Sequence, residues 1–400
     1  YLGTTPELSA NLHLPSTLPI TRTFSVPVEP PESFSLYTAG PVVGPALHWH
    51  PMTAKTPLLF IADIRGSLLC FDSATQHTQW HKRLRGTYTQ PPVLLNGHTK
   101  SGPFIALQNT SGRIRLFDKY GTETTTVYLE KDAYHPLKSV LNHDAVAYLV
   151  AANNDSISVY TDTGLLHNRF PVTDLQYVAT AKSVPDCIYV ITAKENSGKS
   201  PADADALSDI TLACYTTSGS ISWESPLPTL PVCPPAIQQE SIVLCDATGA
   251  ISVYNNKSGK LLASSSGARL TEIHRLACYD SHKMGTLLIA VADNASVALL
   301  KFKDNTITEL WKRTHTGATF LSFIPKPDTL IIGAKTGGLY GYDIEGKKRW
   351  EDHQHTGAIT GITSFEDDKQ KNVQTVVSTS ATGNIRGITV RHTLVRPEKP

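Results

Sequence analysis

The chain has 400 residues, and its 36 basic and 35 acidic side chains leave a net charge of +1. That balance excludes a global field that gathers nucleic acid or anionic lipid, and no apolar run approaches the roughly 20 residues of a membrane-spanning helix. Charged residues make up only 18%, below the roughly 25% of ordinary domains, and the abundant Ser and Thr suit strands and turns instead.

Residues 1–33 hold six of the 26 prolines and show no hydrophobic period, which predicts a flexible strap. Ser33–Tyr37 then alternates like a strand. From 34 to 391 one unit recurs. Gly66-Ser-Leu-Leu-Cys-Phe-Asp72, Gly112-Arg-Ile-Arg-Leu-Phe-Asp118, Gly249-Ala-Ile-Ser-Val-Tyr254 and Gly337-Gly-Leu-Tyr-Gly-Tyr-Asp343 each place a turn residue before an alternating strand that ends in an aromatic. Aligned this way, eight anchors appear: Gly66, Gly112, Asp155, Ile210, Gly249, Ala295, Gly337 and Gly383, at intervals of 39 to 55 residues. Repeats of this length with strand periodicity predict an all-β, eight-bladed propeller of four-stranded antiparallel blades. The longest interval contains the polar stretch 194–205, read as a loop on one rim.

The seventh unit shows the expected blade: Thr319–Ile324, Thr329–Ala334, Gly338–Tyr342 and a last strand opening at Arg349-Trp350. The final unit has clear strands at Val373–Ser378 and Asn384–Val390 but nothing that resembles an outer strand. Pairing Ser33–Tyr37 with it would close the ring and remove an exposed edge. Residues 392–400 form a tail.

Several third strands run through a turn to a tryptophan: Phe71 to Trp80, Tyr215 to Trp223 and Tyr342 to Trp350, with Trp311 in a looser setting. Asp or Thr caps the turn, Gly takes the positive-φ position, and Trp buries its ring while its indole N–H seeks a carbonyl. Trp223 and Trp350 each follow a turn glycine, Gly219 and Gly346, by four residues. This pattern resembles the tryptophan-docking repeat of the PQQ-like, quinoprotein-type eight-bladed propellers. The units around Gly121, Gly164 and Gly259 lack the Trp.

The catalytic members of that family hold PQQ and Ca²⁺ on the axis and carry an adjacent cysteine pair. This chain has no Cys-Cys dipeptide and no oxygen-ligand set for a hard cation, so the resemblance points to the non-catalytic, BamB-like branch, with no cofactor. It implies a non-enzymatic protein–protein interaction scaffold in an extracytoplasmic compartment, docking partners on rim loops as part of a membrane-associated complex. No nucleic acid is expected as a partner. Two alternatives stand beside it: a ligand-binding or quinone-dependent enzyme using the axial funnel, and the ectodomain of a secretory or surface membrane protein.

The remaining motifs are less specific. No phosphate loop, HExxH or GxSxG motif appears in a suitable setting. His48 and His50, and His353 and His355, are pairs with metal-ligand spacing, although abundant histidine explains them as well. Asn109, Asn154, Asn256 and Asn294 head N-x-S/T sequons, candidates for glycosylation. The six cysteines read as small buried hydrophobes, with one disulfide, Cys187 to Cys233, left open.

Overall fold

The computed structural model describes residues 32–391, apart from 51–56, 96–101, 130–134, 182–183, 196–206, 266–269, 271–272, 282, 326–327 and 367–372. The N-terminal strap, most of the 194–205 stretch and the C-terminal tail lie outside the described residues. Every described element is a strand, and the strands form eight four-stranded antiparallel sheets. The chain is an eight-bladed β-propeller. Blades 1 to 7 span 47–83, 93–128, 138–171, 175–226, 236–265, 275–314 and 318–352, and blade 8 spans 359–391. Within each blade we label the strands a to d, from the axis outward.

The alternation read from sequence explains how the blades stack. A blade is covered on both faces by its neighbours, so its two middle strands are apolar on both sides, as in the fully buried Ser67–Asp72 of blade 1 and Thr286–Ala292 of blade 6. Eight hydrophobic clusters result, one at each blade junction. The outer strands face solvent and carry the charge; His77–Arg83 of blade 1 is exposed along almost its whole length.

The expected strand exchange closes the ring. Glu32–Tyr37 is strand d of blade 8 and pairs antiparallel with Asn384–Arg391. The following segment stitches blade 8 to blade 1. Thr38 N donates to Gly383 O at 2.9 Å, Val42 N to Ser380 O at 3.1 Å and Val43 N to Ala62 O at 2.9 Å. Thr379 Oγ1 donates to Gly44 O at 2.9 Å and Thr363 Oγ1 to Ala46 O at 2.6 Å. Phe34 then packs on Phe71 with ring centroids 4.8 Å apart, inside the junction cluster that joins the first and last blades.

Candidate functional site

The tryptophan turn proves to be one instance of a position present in all eight blades. In strand d, the residue opposite the one preceding the anchor-aligned aromatic or aliphatic of strand c occupies it. Read by register, the occupants are Trp80, Thr125, Asn168, Trp223, Ala263, Trp311, Trp350 and, in blade 8, Phe34. In each blade the register shifts beside this residue, a bulge that re-aims the side chain toward the next blade. There it meets the c–d turn glycine: Trp80 lies on Gly121, Thr125 on Gly164, Asn168 on Gly219, Trp223 on Gly259 and Trp311 on Gly346. These glycines need their missing Cβ twice over. Their φ is positive, +67° at Gly259, and a Cβ there would enter the Trp223 ring.

The indole N–H finds its expected carbonyl at two of the four tryptophans. Trp80 Nε1 donates to Lys119 O at 2.8 Å and Trp223 Nε1 to Asn256 O at 3.0 Å. Trp311 and Trp350 are more deeply buried, and their Nε1 atoms have no acceptor among the described residues.

The c–d turns crown one rim, and this rim is not uniform. On blades 2 to 5 it presents Tyr120, Leu165, Leu166, Ile221 and Leu261, each between 47% and 69% exposed. The corresponding turns carry Gln76 and His77 on blade 1, Asn305 and Thr306 on blade 6, and Lys347 and Lys348 on blade 7. Blades 2 to 5 thus carry exposed apolar side chains at this rim, among polar ones such as Lys257 and Lys260, whereas blades 1, 6 and 7 carry polar ones.

A cavity of about 360 Å³ opens between the inner strands of blades 5, 6 and 7, lined by Ala236, Ala277, Cys278, Tyr279, Leu321 and Phe323 among others. Tyr279 stacks on Phe323, and its hydroxyl donates to Pro325 O at 3.0 Å. Burial pushes both the Cys278 thiol and the Tyr279 phenol up to about 12, the latter helped by the nearby Asp328.

The histidine pairs separate by environment. His48 lies flat on Phe365 at 4.2 Å, in the junction between blades 8 and 1, and His50 is exposed. His353 is exposed beside Glu351, whereas His355 is only 3% exposed. Its Nε2 lies 2.7 Å from Ser378 Oγ, and burial lowers its pKa to about 4, with the nearby Arg386 adding to the effect. Asp352 and Arg386, both buried, pair alongside at 3.5 Å. Ser378 has no exposed surface, so this serine–histidine contact is closed to any substrate and holds the blade. Among the described residues no three His, Cys, Asp or Glu side chains form a metal-sized group. His315 occupies the place equivalent to His355 one blade earlier, edge-on to Tyr340 at 4.6 Å. The sequence signal was available: His-Thr-Gly-Ala occurs at both 315–318 and 355–358.

The other candidates resolve individually. Cys187 does not face Cys233. It packs beside Cys214 and Tyr189, while Cys233 packs with Cys245, and all six cysteines are free thiols. The hydrogen bond from Cys214 lowers the Cys187 pKa to about 7, against the effect of burial, and raises that of Cys214. Asn154 and Asn294 stand exposed at turns and Asn109 is half-buried. Asn256 corrects the sequon reading: it is fully buried and its Nδ2 donates to Gln239 O, so a glycan has no room there in the folded blade. Asp72 and Asp118 cap turns as expected, each accepting from two backbone N–H groups.

No family model matches the chain, and no curated protein matches it by sequence. Solved structures do. The computationally designed protein Ika8 is similar over 90% of this chain and 99% of its own, with a TM-score of 0.65 at 16% identity. BamB from Moraxella catarrhalis aligns over 92% and 99%, with a TM-score of 0.62 at 12% identity. Saccharomyces cerevisiae Sqt1 aligns over 91% and 100%, with a TM-score of 0.67 at 14% identity. At these identities the likeness is one of fold: the chain shares the propeller architecture with all three.

Proposed function

We propose that the chain is a non-enzymatic interaction scaffold of the PQQ-like, BamB-like kind, which docks a protein partner in an extracytoplasmic, membrane-associated complex. One observation carries this reading: the exposed apolar arc of Tyr120, Leu165, Leu166, Ile221 and Leu261 along the c–d rim of blades 2 to 5. Large apolar side chains gathered on an exposed rim mark an interaction surface, and aromatic anchors such as Tyr120 carry a disproportionate share of the energy in such surfaces. The partner presents a matching apolar face. The Cys278 thiol and Tyr279 phenol that line the axial cavity stay protonated at neutral pH, which fits a non-enzymatic role. The exposed sequons at Asn154 and Asn294 support an extracytoplasmic placement.

Co-purification from the native host tests this reading. Wild-type protein is expected to retain a stoichiometric partner, and the triple variant Leu165→Asp, Ile221→Asp, Leu261→Asp to lose it while unfolding at an unchanged denaturant concentration. Equal recovery of the partner by both proteins would remove the arc from the interface.

A further inference from the structure

The four sequons divide by what the local turn asks of the asparagine. Three of them lie in b–c turns, at the rim opposite the c–d turns. Such a turn is closed by a side-chain oxygen at its start, which accepts from backbone N–H groups further on. In blade 3 that oxygen belongs to Asn153, whose Oδ1 accepts from Asp155 N at 3.0 Å and Ser156 N at 2.8 Å. In blade 6 it belongs to Asp293, whose Oδ1 accepts from Ala295 N at 2.7 Å and Ser296 N at 2.6 Å. Asn154 and Asn294 directly follow these caps. Both are exposed, and neither side chain has a hydrogen-bond partner among the described residues. In blade 2 the roles fall differently, because Asn109 is itself the cap. Its Oδ1 accepts from Ser111 N at 3.1 Å and Arg113 N at 2.9 Å, and a Cβ on Gly86 would stand 3.0 Å from its Nδ2. Asn256, in the c–d turn of blade 5, is fully buried. The nitrogen that carries a sugar is thus open at two sequons and packed against protein at the other two.

We propose that Asn154 and Asn294 are attachment sites for N-linked glycans, which makes the b–c rim the sugar-bearing face of the propeller. The proposal rests on the extracytoplasmic part of the scaffold reading and adds a covalent modification and the face that carries it. The donor is an oligosaccharide linked to a polyprenyl diphosphate. Asparagine Nδ2 bonds to the anomeric carbon of the first sugar, and the bond from that carbon to the diphosphate oxygen breaks. The diphosphate leaves with the electron pair, and the displaced amide proton passes to a base of the transferase. Ser156 is buried in the finished blade, so its sequon is read before the strands pair, and the fold then decides which glycans can be housed. A bulky polar chain fits an exposed turn. On Asn256 it would occupy the place where Nδ2 donates to Gln239 O. The consequence for the partner is geometric. The apolar arc lies on the c–d rim, so sugar on the opposite rim leaves the docking surface bare.

The test is expression of the full chain in a eukaryotic secretory host behind a cleavable signal peptide, which delivers it to the transferase whatever its native compartment. Treating the secreted, folded protein with N-glycosidase in heavy-oxygen water marks each occupied asparagine as a labelled aspartate, read by peptide mass. Asn154 and Asn294 should both carry the mark, and Asn154→Gln and Asn294→Gln should each remove one glycan from the intact mass. An unmodified Asn154 or Asn294 would overturn the proposal, as would equal occupancy of Asn109 or Asn256 in the folded protein. Capture of the co-purified partner should be the same before and after the glycans are removed; capture that appears only after their removal would overturn the placement of sugar and partner on opposite rims. The two readings fail separately. Both sites modified in the secretory host but bare in protein from the native host would bring down the extracytoplasmic reading, and sites left bare in the secretory host would bring down this one.

Discussion

The four strand-d tryptophans divide into two that bond a carbonyl and two with no acceptor among the described residues, and this division sets their response to Trp→Phe. At Trp223 the change removes the bond from Nε1 to Asn256 O, worth about 1 kcal/mol net, together with part of the ring that covers Gly259. At Trp350 it removes a similar part of the ring, but also a buried N–H with no acceptor among the described residues. Burying such a group costs about 1–3 kcal/mol, and that cost disappears with the nitrogen. Trp350 is the more deeply buried ring, so its greater loss of contact on truncation offsets part of this difference. Trp223→Phe should still destabilise the chain more than Trp350→Phe, by at most about 2–4 kcal/mol. Urea unfolding of the two variants beside wild type measures this, provided the m-values agree. A Trp350→Phe variant as damaged as Trp223→Phe, or more so, would refute the assignment of these polar contacts.

Three further outcomes follow from the same geometry. The pKa of His355 is about 4 in the fold against 6.5 for the free side chain, so the unfolded chain takes up its proton first as the pH falls. Stability from this group is intact above pH 6.5 and should decline by about 3 kcal/mol as the pH reaches 4; His355→Asn should flatten that decline in urea unfolding at stepped pH, and an unchanged profile would contradict the buried neutral histidine. Cys187, with a pKa of about 7 and partial exposure, should be the first thiol alkylated by iodoacetamide at neutral pH, and Cys187→Ser should abolish that early label by peptide mass. Removing the segment that carries Glu32–Tyr37 strips blade 8 of its outer strand and of Phe34; the truncated chain should self-associate through the bared edge, and monodisperse, equally stable material by light scattering would refute ring closure by this strand.

The strands and their number were legible because alternation and turn glycines repeat in the sequence itself. Closure was legible from a surplus strand at one end and a deficit at the other. What was not legible depends on how blades stack. Thr125, Asn168, Ala263 and Phe34 share the position of the tryptophans only through register and a bulge, and no common residue type announces it. Asn256 carries the same sequon as Asn154, yet one is buried beneath the Trp223 turn and the other exposed. By contrast, the buried roles of His315 and His355 were within reach, since the repeated His-Thr-Gly-Ala lies at the same point of two successive units.

In the scaffold reading, the apolar arc on the c–d rim is the surface a protein partner covers. Hydrogen–deuterium exchange of the chain alone and bound to its co-purified partner measures that surface directly. Slowed exchange is expected in the peptides carrying Tyr120, Leu165, Leu166, Ile221 and Leu261, with blades 6 and 7 unchanged at the same rim. Protection confined to the axial cavity, or to blades 6 and 7, would rule the arc out as the interface.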